Sequence, residues 1–454
     1  METSTLSLRL LLSVLIGLGG IISAIASPAN AQRISLIRDA ETENTIRAYA
    51  TPLLLAARLE PSAVRILIVN NKSLNAFVAA GQNLFINTGL IMRASDASEV
   101  IGVLAHETGH IAGGHLIRST QALKDASAST ILGYILGGAA VIAGRPDVGA
   151  AVIGGAQNAA VRSYLKFSRT QESAADRAGV RFLDQTQQSS GGMLTFMNTL
   201  GEQELLSVSR QDAYVRTHPL TRDRIEFLEH HVAQSRYTNI PTPQKFKKAH
   251  ARMVAKLRAF TLRKRRTFRY YPVTDTSVPA RYAQAIAYFR SAGTAKALKI
   301  MVGLIAEHPH DPYFHELRGQ ILFENGRIDE AIPAYEKATE LLPGSALIMT
   351  DLARAQIEKD GLEMRNRAIR NLKASIQLEP KRAFTWRLLA TAEGKNGNMV
   401  ESWRALAEEA LLHGRFDNAI SLAKRSQSRT EVGTPVWLRA EDIVAAATEA
   451  KNSR

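Results

Sequence analysis

Small residues and prolines recur at nearly constant spacing in the second half of this chain. The small residues lie 34, 37 and 34 positions apart, at Ala297, Ala331, Ala368 and Ser402. A proline follows each of the first three by twelve positions, at Pro309, Pro343 and Pro380. Small residues let two helices approach closely, and a proline ends the second helix of a pair. The spacing therefore predicts stacked helix pairs that form an α-solenoid.

The residue types match the tetratricopeptide pattern. The best copy consists of Gly319, Ala331, Tyr335, Ala338 and Pro343. The longer interval contains three extra residues around Asp360-Gly361, and Trp386 and Leu389 fit the template in the following copy. We predict a tetratricopeptide-like helical repeat domain at residues 278–454, a type of domain that presents an extended surface to protein partners.

The first 31 residues have the features of a secretory signal peptide. Arg9 precedes an apolar stretch from Leu10 to Ile25, and Ala29-Asn30-Ala31 is a typical cleavage site. The alternative is an uncleaved anchor, but sixteen residues are fewer than the roughly 20 that a membrane span needs. We expect cleavage and export to an oxidising compartment. The chain contains no cysteine, so packing and any bound metal must stabilise it.

The net charge of +15 is concentrated in one region. Between Lys245 and Arg269 there are eleven Lys or Arg residues and no acidic residue. We interpret this run as a surface ridge within a basic connecting segment at residues 241–277. Nucleic-acid binding is one reading, but secretion and the lack of a recognisable nucleic-acid fold argue against it. We expect no nucleic acid, and instead contact with acidic protein or lipid headgroups, including peripheral membrane contact.

Residues 32–240 are predicted to form a mainly helical domain with a small β-hairpin sheet. Strands are expected at Ala63–Val69 and Asn83–Asn87. Helices are expected over residues 34–59, from Asp96 through Ile111, from Ser168 to Gln185 and from Thr221 to His231. The apolar run Ile131–Ala143 is too short to span a bilayer. We interpret it as a buried helical hairpin, with a lid or shallow membrane insertion as alternatives.

The segment His106-Glu107-Thr108-Gly109-His110 carries the chemistry of a metallopeptidase. Positions four apart lie on one helix face, so the two imidazoles can bind one metal ion. Glu107 then lies beside a water at the metal and can take its proton. The flanking residues are apolar, and a buried helix does not usually carry two histidines and a glutamate without a partner for them.

A third protein ligand is required, and two candidates exist. His115 follows His110 by five positions, whereas the extended metzincin motif places its last histidine six positions after the second. We therefore treat His115 as a helix-end residue or a partner of a ligand. Glu172 and Asp176 lie four apart on the predicted helix from Ser168. One carboxylate can bind the metal while the other orients a histidine. The small Ala174 and Ala175 favour close packing of this helix against the first.

These motifs occur in an order that resembles the HtpX and BepA-type zinc metallopeptidases. The signal segment and repeats make the chain most similar to the periplasmic BepA-like branch, and the resemblance covers nearly all of the chain beyond residue 31. It implies that His106, His110 and Glu172 bind one Zn²⁺ ion, that Glu107 is the general base, and that Asp176 is a supporting carboxylate. The motifs are Asn75-Ala-Phe77, Asn87-Thr-Gly-Leu90, Val103-Leu-Ala-His-Glu-Thr-Gly-His110, Glu172-Ser-Ala-Ala-Asp176 and Thr217-His-Pro219 with Arg224.

The resemblance also implies a role for His218 and a cellular function. His218 matches a histidine that can occupy the open zinc position at rest, or stabilise the oxyanion once displaced; a turn histidine held by Pro219 is the simpler alternative. The implied activity is a zinc metalloendopeptidase of gluzincin type acting on misfolded or stalled envelope proteins. Its repeats would dock on the outer-membrane protein assembly machinery. The alternative function is a periplasmic chaperone or scaffold with a latent protease site.

Overall fold

The computed structural model of the protein describes residues 35–79, 81–116, 118, 168–204, 218–359 and 361–453. The predicted signal peptide and the apolar run Ile131–Ala143 lie outside these ranges. The strands are β1 (Leu36–Ile37), β2 (Arg65–Val69), β3 (Ala76–Ala79) and β4 (Asn83–Asn87). The helices of the first half are α1 (Ala40–Ala56), α2 (Thr88–Arg93), α3 (Ala97–Ala112), α4 (residues 168–185), α5 (Gly191–Glu204), α6 (Arg222–Gln234), α7 (Gln244–Thr261) and α8 (Lys264–Tyr270).

The helices of the second half are consecutive and of similar length. They are α9 (Val278–Phe289), α10 (Thr294–Glu307), α11 (Pro312–Glu324), α12 (Ile328–Leu341), α13 (Ala346–Lys359), α14 (Leu362–Leu378), α15 (Ala383–Lys395), α16 (Met399–Leu412), α17 (Phe416–Gln427) and α18 (Pro435–Asn452). The predicted mainly helical fold with a small sheet and a helical solenoid is confirmed. Within the described ranges, no helix is both long enough and apolar enough to cross a membrane.

The four strands form one sheet in the order β1-β2-β4-β3. The two strands predicted from the sequence correspond to β2 and β4. The expected hairpin between them is not formed, because β2 and β4 are parallel, with Ile66 opposite Leu84. The hairpin instead joins β3 to β4, which are antiparallel. Gly81, with a φ of +89°, lies in the turn between them. The parallel register places Ile66, Ile68, Leu84 and Ile86 together in the core.

Helix α3 is the central element of the first half. It begins after Asp96, whose side chain accepts a hydrogen bond from the Ser98 backbone amide and so caps the helix. From Val100 to Gly109 every residue is buried. The helix packs against α1 and α5 and also contacts β3. Any polar side chain on α3 therefore lies inside the protein, where it needs a partner.

The repeat helices pack as the residue spacing predicted. Ala331 and Ala338 are fully buried on α12, and a Cβ atom at Gly319 of α11 would lie 2.9 Å from the ring of Tyr335. This glycine is therefore required for the close approach of α11 and α12. In the longer interval, Gly361 has a φ of +91° immediately before α14, a conformation that glycine adopts without strain.

Helix α7 connects the two halves through buried charges. Residues Ile37–Arg454 form one compact unit. Within it, Lys256 is 4% exposed and its ammonium lies 2.5 Å from the carboxylate of Asp39. Arg252 forms ion pairs with Glu41 of α1 and Asp311, which precedes α11. The interpretation of this basic run as a surface ridge is wrong for these residues. Lys256 lies on the buried face of α7 with Met253 and Leu257, and Arg252 is only partly exposed.

Candidate metal centre

The two histidines of α3 converge at one point. The Nε2 atoms of His106 and His110 are 3.0 Å apart, as expected for residues one helical turn apart on one face. His106 is 1% exposed, and its ring stands nearly perpendicular to that of His110, with an interplanar angle of 77°. Two imidazole nitrogens thus point into the same small volume, and both can donate a lone pair to a cation there.

Helix α4 brings a carboxylate to the same point. An Oε atom of Glu172 lies 3.3 Å from His106 Nε2, and the other lies 3.4 Å from His110 Nε2. Asp176, one turn further along α4, does not reach this point. Its Oδ1 lies 2.8 Å from the opposite ring nitrogen of His106, Nδ1. A carboxylate in that position accepts the Nδ1 proton and leaves Nε2 free to bind a metal.

His218 completes the cluster from the segment before α6. Its Nδ1 lies 3.4 Å from His106 Nε2 and 3.2 Å from both carboxylate oxygens of Glu172. Its Nε2 lies 3.5 Å from Oε1 of Glu107. One ligand atom from each of His106, His110, Glu172 and His218 lies within 4.8 Å of the others. The structure therefore offers four donor atoms at one position.

These separations fit a four-coordinate metal ion. Bonds of about 2.0–2.1 Å in a tetrahedron place neighbouring ligand atoms about 3.3 Å apart. The Nε2 atoms of His106 and His110 are 3.0 Å apart, and the two oxygens of Glu172 lie 3.3 Å from the first and 3.4 Å from the second. Three nitrogens and one carboxylate oxygen, three of the four groups buried, are also the donor types that transition-metal sites in proteins use. The residues present thus fit a metal ion.

Burial and neighbouring charges shift the pKa values of the side chains in the cluster. Burial opposes protonation of His106, but the hydrogen bonds with Asp176 and Glu172 outweigh it and raise its pKa to about 10. Burial and the neighbouring His106 hold the pKa of His110 well below its ordinary value. Burial opposes ionisation of Glu172, yet His218 and His106 lower its pKa. A bound cation would replace the proton of His106, because a metal ligand must be deprotonated.

Glu107 has no hydrogen-bond partner among the described residues, and its nearest charged neighbour is the ring of His218, 3.5 Å away. Glu107 is 0% exposed. Burial raises its pKa, against the opposing effect of His218 and His106. A carboxylate with a raised pKa can both take and return a proton near neutral pH, which is the requirement for a general base.

Arg224, for which the sequence indicates no role, lies beside both carboxylates. Its Nε and Nη2 donate to the two oxygens of Asp176 at 2.6 and 2.9 Å, and its Nη1 lies 3.1 Å from Glu172. A third hydrogen bond, to the backbone carbonyl of Pro219, ties the guanidinium to the segment that carries His218. A buried arginine almost always has such partners. The sequence alone, however, does not show that Asp176 and Glu172 are the partners of Arg224.

His115 lies at the edge of the cluster. Its Nδ1 is 2.9 Å from Nδ1 of His110, on the side of that ring away from Glu172. The backbone carbonyl of His115 accepts a hydrogen bond from Gln171 of α4. This position allows His115 to orient His110, in agreement with the spacing argument that set it apart from the extended metzincin motif.

Close packing of α3 on α4 depends on glycine rather than on both predicted alanines. Ala175 is fully buried, but Ala174 is exposed, so the expectation that both alanines lie in the contact is wrong for Ala174. A Cβ atom at Gly109 would lie 2.6 Å from the carbonyl oxygen of Ala175. One at Gly179 would lie 3.2 Å from the α3 backbone. Only glycine at these positions allows the two ligand-bearing helices to approach so closely.

We expect Gly109→Ala to destabilise the protein by about 1–3 kcal/mol, the usual cost of overpacking, and to weaken metal retention by moving α4 away from α3. The measurement is thermal unfolding together with metal content. Gly303→Ala is the matched control, because no described atom lies within 4 Å of the added Cβ and alanine should stabilise α10 by roughly 0.5–1 kcal/mol. Equal stability of the two variants would contradict the close helix contact.

Comparison with known proteins agrees with this architecture. The profile of peptidase family M48 matches residues 37–232, and a tetratricopeptide repeat profile matches residues 282–346. The beta-barrel assembly-enhancing protease of Escherichia coli (strain K12) is 26% identical over 414 residues, which cover 88% of this chain and 81% of that protein. Metalloprotease LoiP of the same strain is 27% identical over 192 residues, covering 42% of this chain and 72% of that protein.

Among solved structures, MamA from Desulfovibrio magneticus RS-1 is similar over 38% of this chain and 94% of its own. The identity is 15% and the TM-score is 0.29, too low for any conclusion. The family match, the H-E-x-x-H helix and the converging metal-binding side chains lead to one conclusion. The chain carries a metallopeptidase domain of family M48, followed by tetratricopeptide repeats.

Proposed function

We propose that this protein is a zinc-dependent endopeptidase of gluzincin type, in which His106, His110 and Glu172 bind one Zn²⁺ ion. The observation that carries the proposal is the convergence of these three side chains, from two helices, next to the buried carboxylate of Glu107. Two imidazoles and one carboxylate are the ligand set of several zinc peptidases. When bound, zinc supplies Lewis acidity that activates water and polarises the scissile carbonyl.

The chain's own residues would perform the proton transfers and the positioning. Glu107 accepts the proton of the attacking water and returns it to the departing amine, for which its raised pKa suits it. Asp176 holds His106 in the tautomer that leaves Nε2 unprotonated. Arg224 fixes Asp176 through two hydrogen bonds. These residues keep the ligands in place before substrate arrives.

The proposed substrate is an extended, unfolded polypeptide that pairs with β3. Among the described strands β3 is at the edge of the sheet, with β4 on one side only. It also contacts α3, which carries the histidines. An added strand would form backbone hydrogen bonds with β3, where Phe77–Ala79 is partly exposed, and would run beside the site. Such pairing selects for an unfolded chain more than for a particular sequence.

We further propose that the protein acts in the periplasm on misfolded or stalled outer-membrane and envelope proteins. Support comes from the sequence of residues 1–31 and from the relative named beta-barrel assembly-enhancing protease. The repeats, at residues 278–454, would dock protein partners such as the outer-membrane protein assembly machinery. In this proposal the peptidase domain spans residues 32–240, and residues 241–277 connect it to the repeats.

Complementation of a deletion strain tests the proposal. A gene encoding Glu107→Gln should fail to restore degradation of an unassembled outer-membrane protein, whereas the wild-type gene should succeed. Deletion of the repeats tests docking separately. If Glu107→Gln restores the strain fully while loss of the repeats abolishes rescue, proteolysis is not the main function.

A second candidate function, a chaperone or scaffold with a latent protease site, is favoured by the position of His218. This side chain is 7% exposed, and its Nδ1 lies within 3.4 Å of donor atoms of His106 and Glu172. It therefore lies beside the three proposed ligands, where it would compete for the position that a catalytic zinc keeps open for water. With His218 in this position, water would be excluded from the metal and the peptidase would be inactive.

We expect His218→Ala to raise cleavage of an unfolded substrate several-fold, because the competent state no longer requires displacement of the imidazole. Steady-state cleavage measured with equal zinc loading checks this. His231→Ala, a change to a histidine of α6 that is 21% exposed and lies beside Asp184, away from the metal centre, is the control. A large fall in the turnover number with unchanged KM would instead assign His218 to oxyanion stabilisation.

A further inference from the structure

We infer that the exposed cations of α8 and of Arg263, the residue before it, form a docking surface for a bilayer that carries anionic phospholipid. The surface, here called the basic patch, consists of Arg263, Lys264, Arg265, Arg266 and Arg269. All five are exposed, and their sequence Arg-Lys-Arg-Arg-Thr-Phe-Arg contains no acid. The inference does not depend on the proposed peptidase function, because none of these residues belongs to the metal centre.

The basic patch keeps its charge available for an external partner. None of its five side chains forms an ion pair with an acidic residue in the described part of the chain, which does contain many such pairs elsewhere. Lys256 and Arg252, in the same basic run, are by contrast paired with Asp39, Glu41 and Asp311 inside the protein. The fold thus uses two cations of the run for its own stability and leaves the patch unneutralised.

The patch is also presented on a fixed support. Thr267 of α8 is fully buried, and the ring of Phe268 packs edge-on against Tyr288 at a centroid distance of 5.1 Å. Arg290, the residue that follows α9, donates hydrogen bonds to the carbonyls of Ala259 and Leu262 at 3.0 and 2.9 Å. The segment that leads into α8 is therefore tied to the repeats. Pre-positioned charges lose little conformational entropy on binding.

Apolar side chains border the charges, and this favours a membrane over nucleic acid. Tyr270 is 46% exposed and Val273 is 63% exposed. The guanidinium of Arg258 lies 4.6 Å from the centre of the Tyr270 ring and fixes its position. A bilayer interface takes up both kinds of group, with cations at the phosphates and tyrosine at headgroup depth. A nucleic-acid backbone would neutralise the cations but would leave Val273 in water.

The other exposed cations of the run do not belong to this surface. Lys245, Lys247 and Lys248 lie at the start of α7, an 18-residue helix whose ends are about 27 Å apart. That distance exceeds the roughly 8 Å over which charges interact at physiological salt. The basic patch is therefore considered by itself, with Tyr270 and Val273 as its apolar border.

Vesicle flotation at physiological salt tests the inference. The protein would begin at residue 32, so that the predicted signal peptide is absent while the compact unit Ile37–Arg454 is complete. Vesicles of phosphatidylcholine alone are compared with vesicles containing phosphatidylglycerol. We expect binding only to the anionic vesicles and its loss at high salt. The quadruple variant Arg263→Gln, Arg265→Gln, Arg266→Gln and Arg269→Gln should bind roughly 500-fold more weakly, since each cation near an anionic surface contributes about fivefold.

A matched control removes the same charge elsewhere. Lys299, Lys381, Lys424 and Arg429 are also exposed, and their replacement by glutamine should leave vesicle binding within about threefold, because these cations lie outside the patch. Thermal unfolding of both variants verifies that each is folded. Replacement of Tyr270 and Val273 by serine should weaken binding several-fold without a change in the salt dependence.

Three outcomes would overturn the inference. Equal losses in the patch and control variants would indicate attraction to net charge alone. Equal binding to neutral and anionic vesicles would exclude headgroup recognition. Absence of vesicle binding, together with duplex DNA binding that the patch variant loses, would assign the surface to nucleic acid. Inorganic phosphate added to the flotation distinguishes a single-phosphate site, which it would block, from the extended surface inferred here, which it would not.

Discussion

We expect Glu107→Gln to lower peptide-bond hydrolysis by about 10²–10⁴-fold, the range that general bases contribute. The carboxylate is fully buried and has no hydrogen-bond partner among the described residues, so it does not stabilise the fold through bonds that glutamine would lose. Glutamine has nearly the same size but cannot accept a proton from water. Metal content should remain unchanged, because Glu107 is not among the four side chains that offer ligand atoms at one point.

The measurement is cleavage of an unfolded protein substrate, with zinc determined on the same samples. Glu99→Gln is the matched control on the same helix. Glu99 is 5% exposed, and its Oε1 accepts hydrogen bonds from Ser95, which the glutamine oxygen can also accept. This control should keep its activity. Activity of the Glu107→Gln variant above a tenth of wild type, with full zinc, would remove Glu107 from the role of base.

The second large effect is expected for Glu172→Ala, which should lower zinc affinity by more than about 100-fold. Loss of a supporting residue typically lowers affinity 10–100-fold, and removal of a ligand should exceed this. The carboxylate lies 3.3 and 3.4 Å from the two α3 imidazoles and supplies the only negative charge among the four candidate ligands. Proteolysis should be lost with the metal.

Elemental analysis after dialysis against a weak chelator measures this effect. Asp184→Ala on the same helix is the control, since Asp184 bonds to Ser235 and lies away from the centre. We expect the control to keep about one zinc per chain, and the Glu172→Ala variant to retain little. Full zinc in both variants would transfer the third ligand role to His115, whose ring already contacts His110.

The sequence predicted local structure well where caps, apolar periodicity or repeated small residues indicate it. The helix with the H-E-x-x-H motif was placed from its cap at Asp96 and its buried residues, and both features are present. The helix predicted from Ser168 to Gln185 is helical throughout these residues and ends at Gln185. The solenoid was predicted from small residues, such as Ala331, that recur at nearly constant spacing. Helix caps and helical periodicity depend on residues that are close together in the chain, so they can be recognised from the sequence alone.

Predictions failed or were silent where distant segments meet. The pairing of β2 with β4 is parallel, and the alternation of residues in each strand is the same for either direction. Lys256 was assigned to the surface because of its charge, although its partner Asp39 is more than 200 positions away. The bonds between Arg224 and Asp176 join helices that are far apart in sequence. In each case the deciding partner comes from the tertiary fold.

X-ray absorption at the zinc edge of the purified wild-type protein tests whether His106, His110 and Glu172 bind the metal. We expect one zinc ion per chain, four-coordinate, with at least two imidazole nitrogens and one oxygen at about 2.0–2.1 Å. A third imidazole would correspond to His218 in the resting position. A preparation that binds no zinc, or a coordination sphere of oxygen alone without imidazole, would contradict the assignment of His106, His110 and Glu172 as the metal ligands.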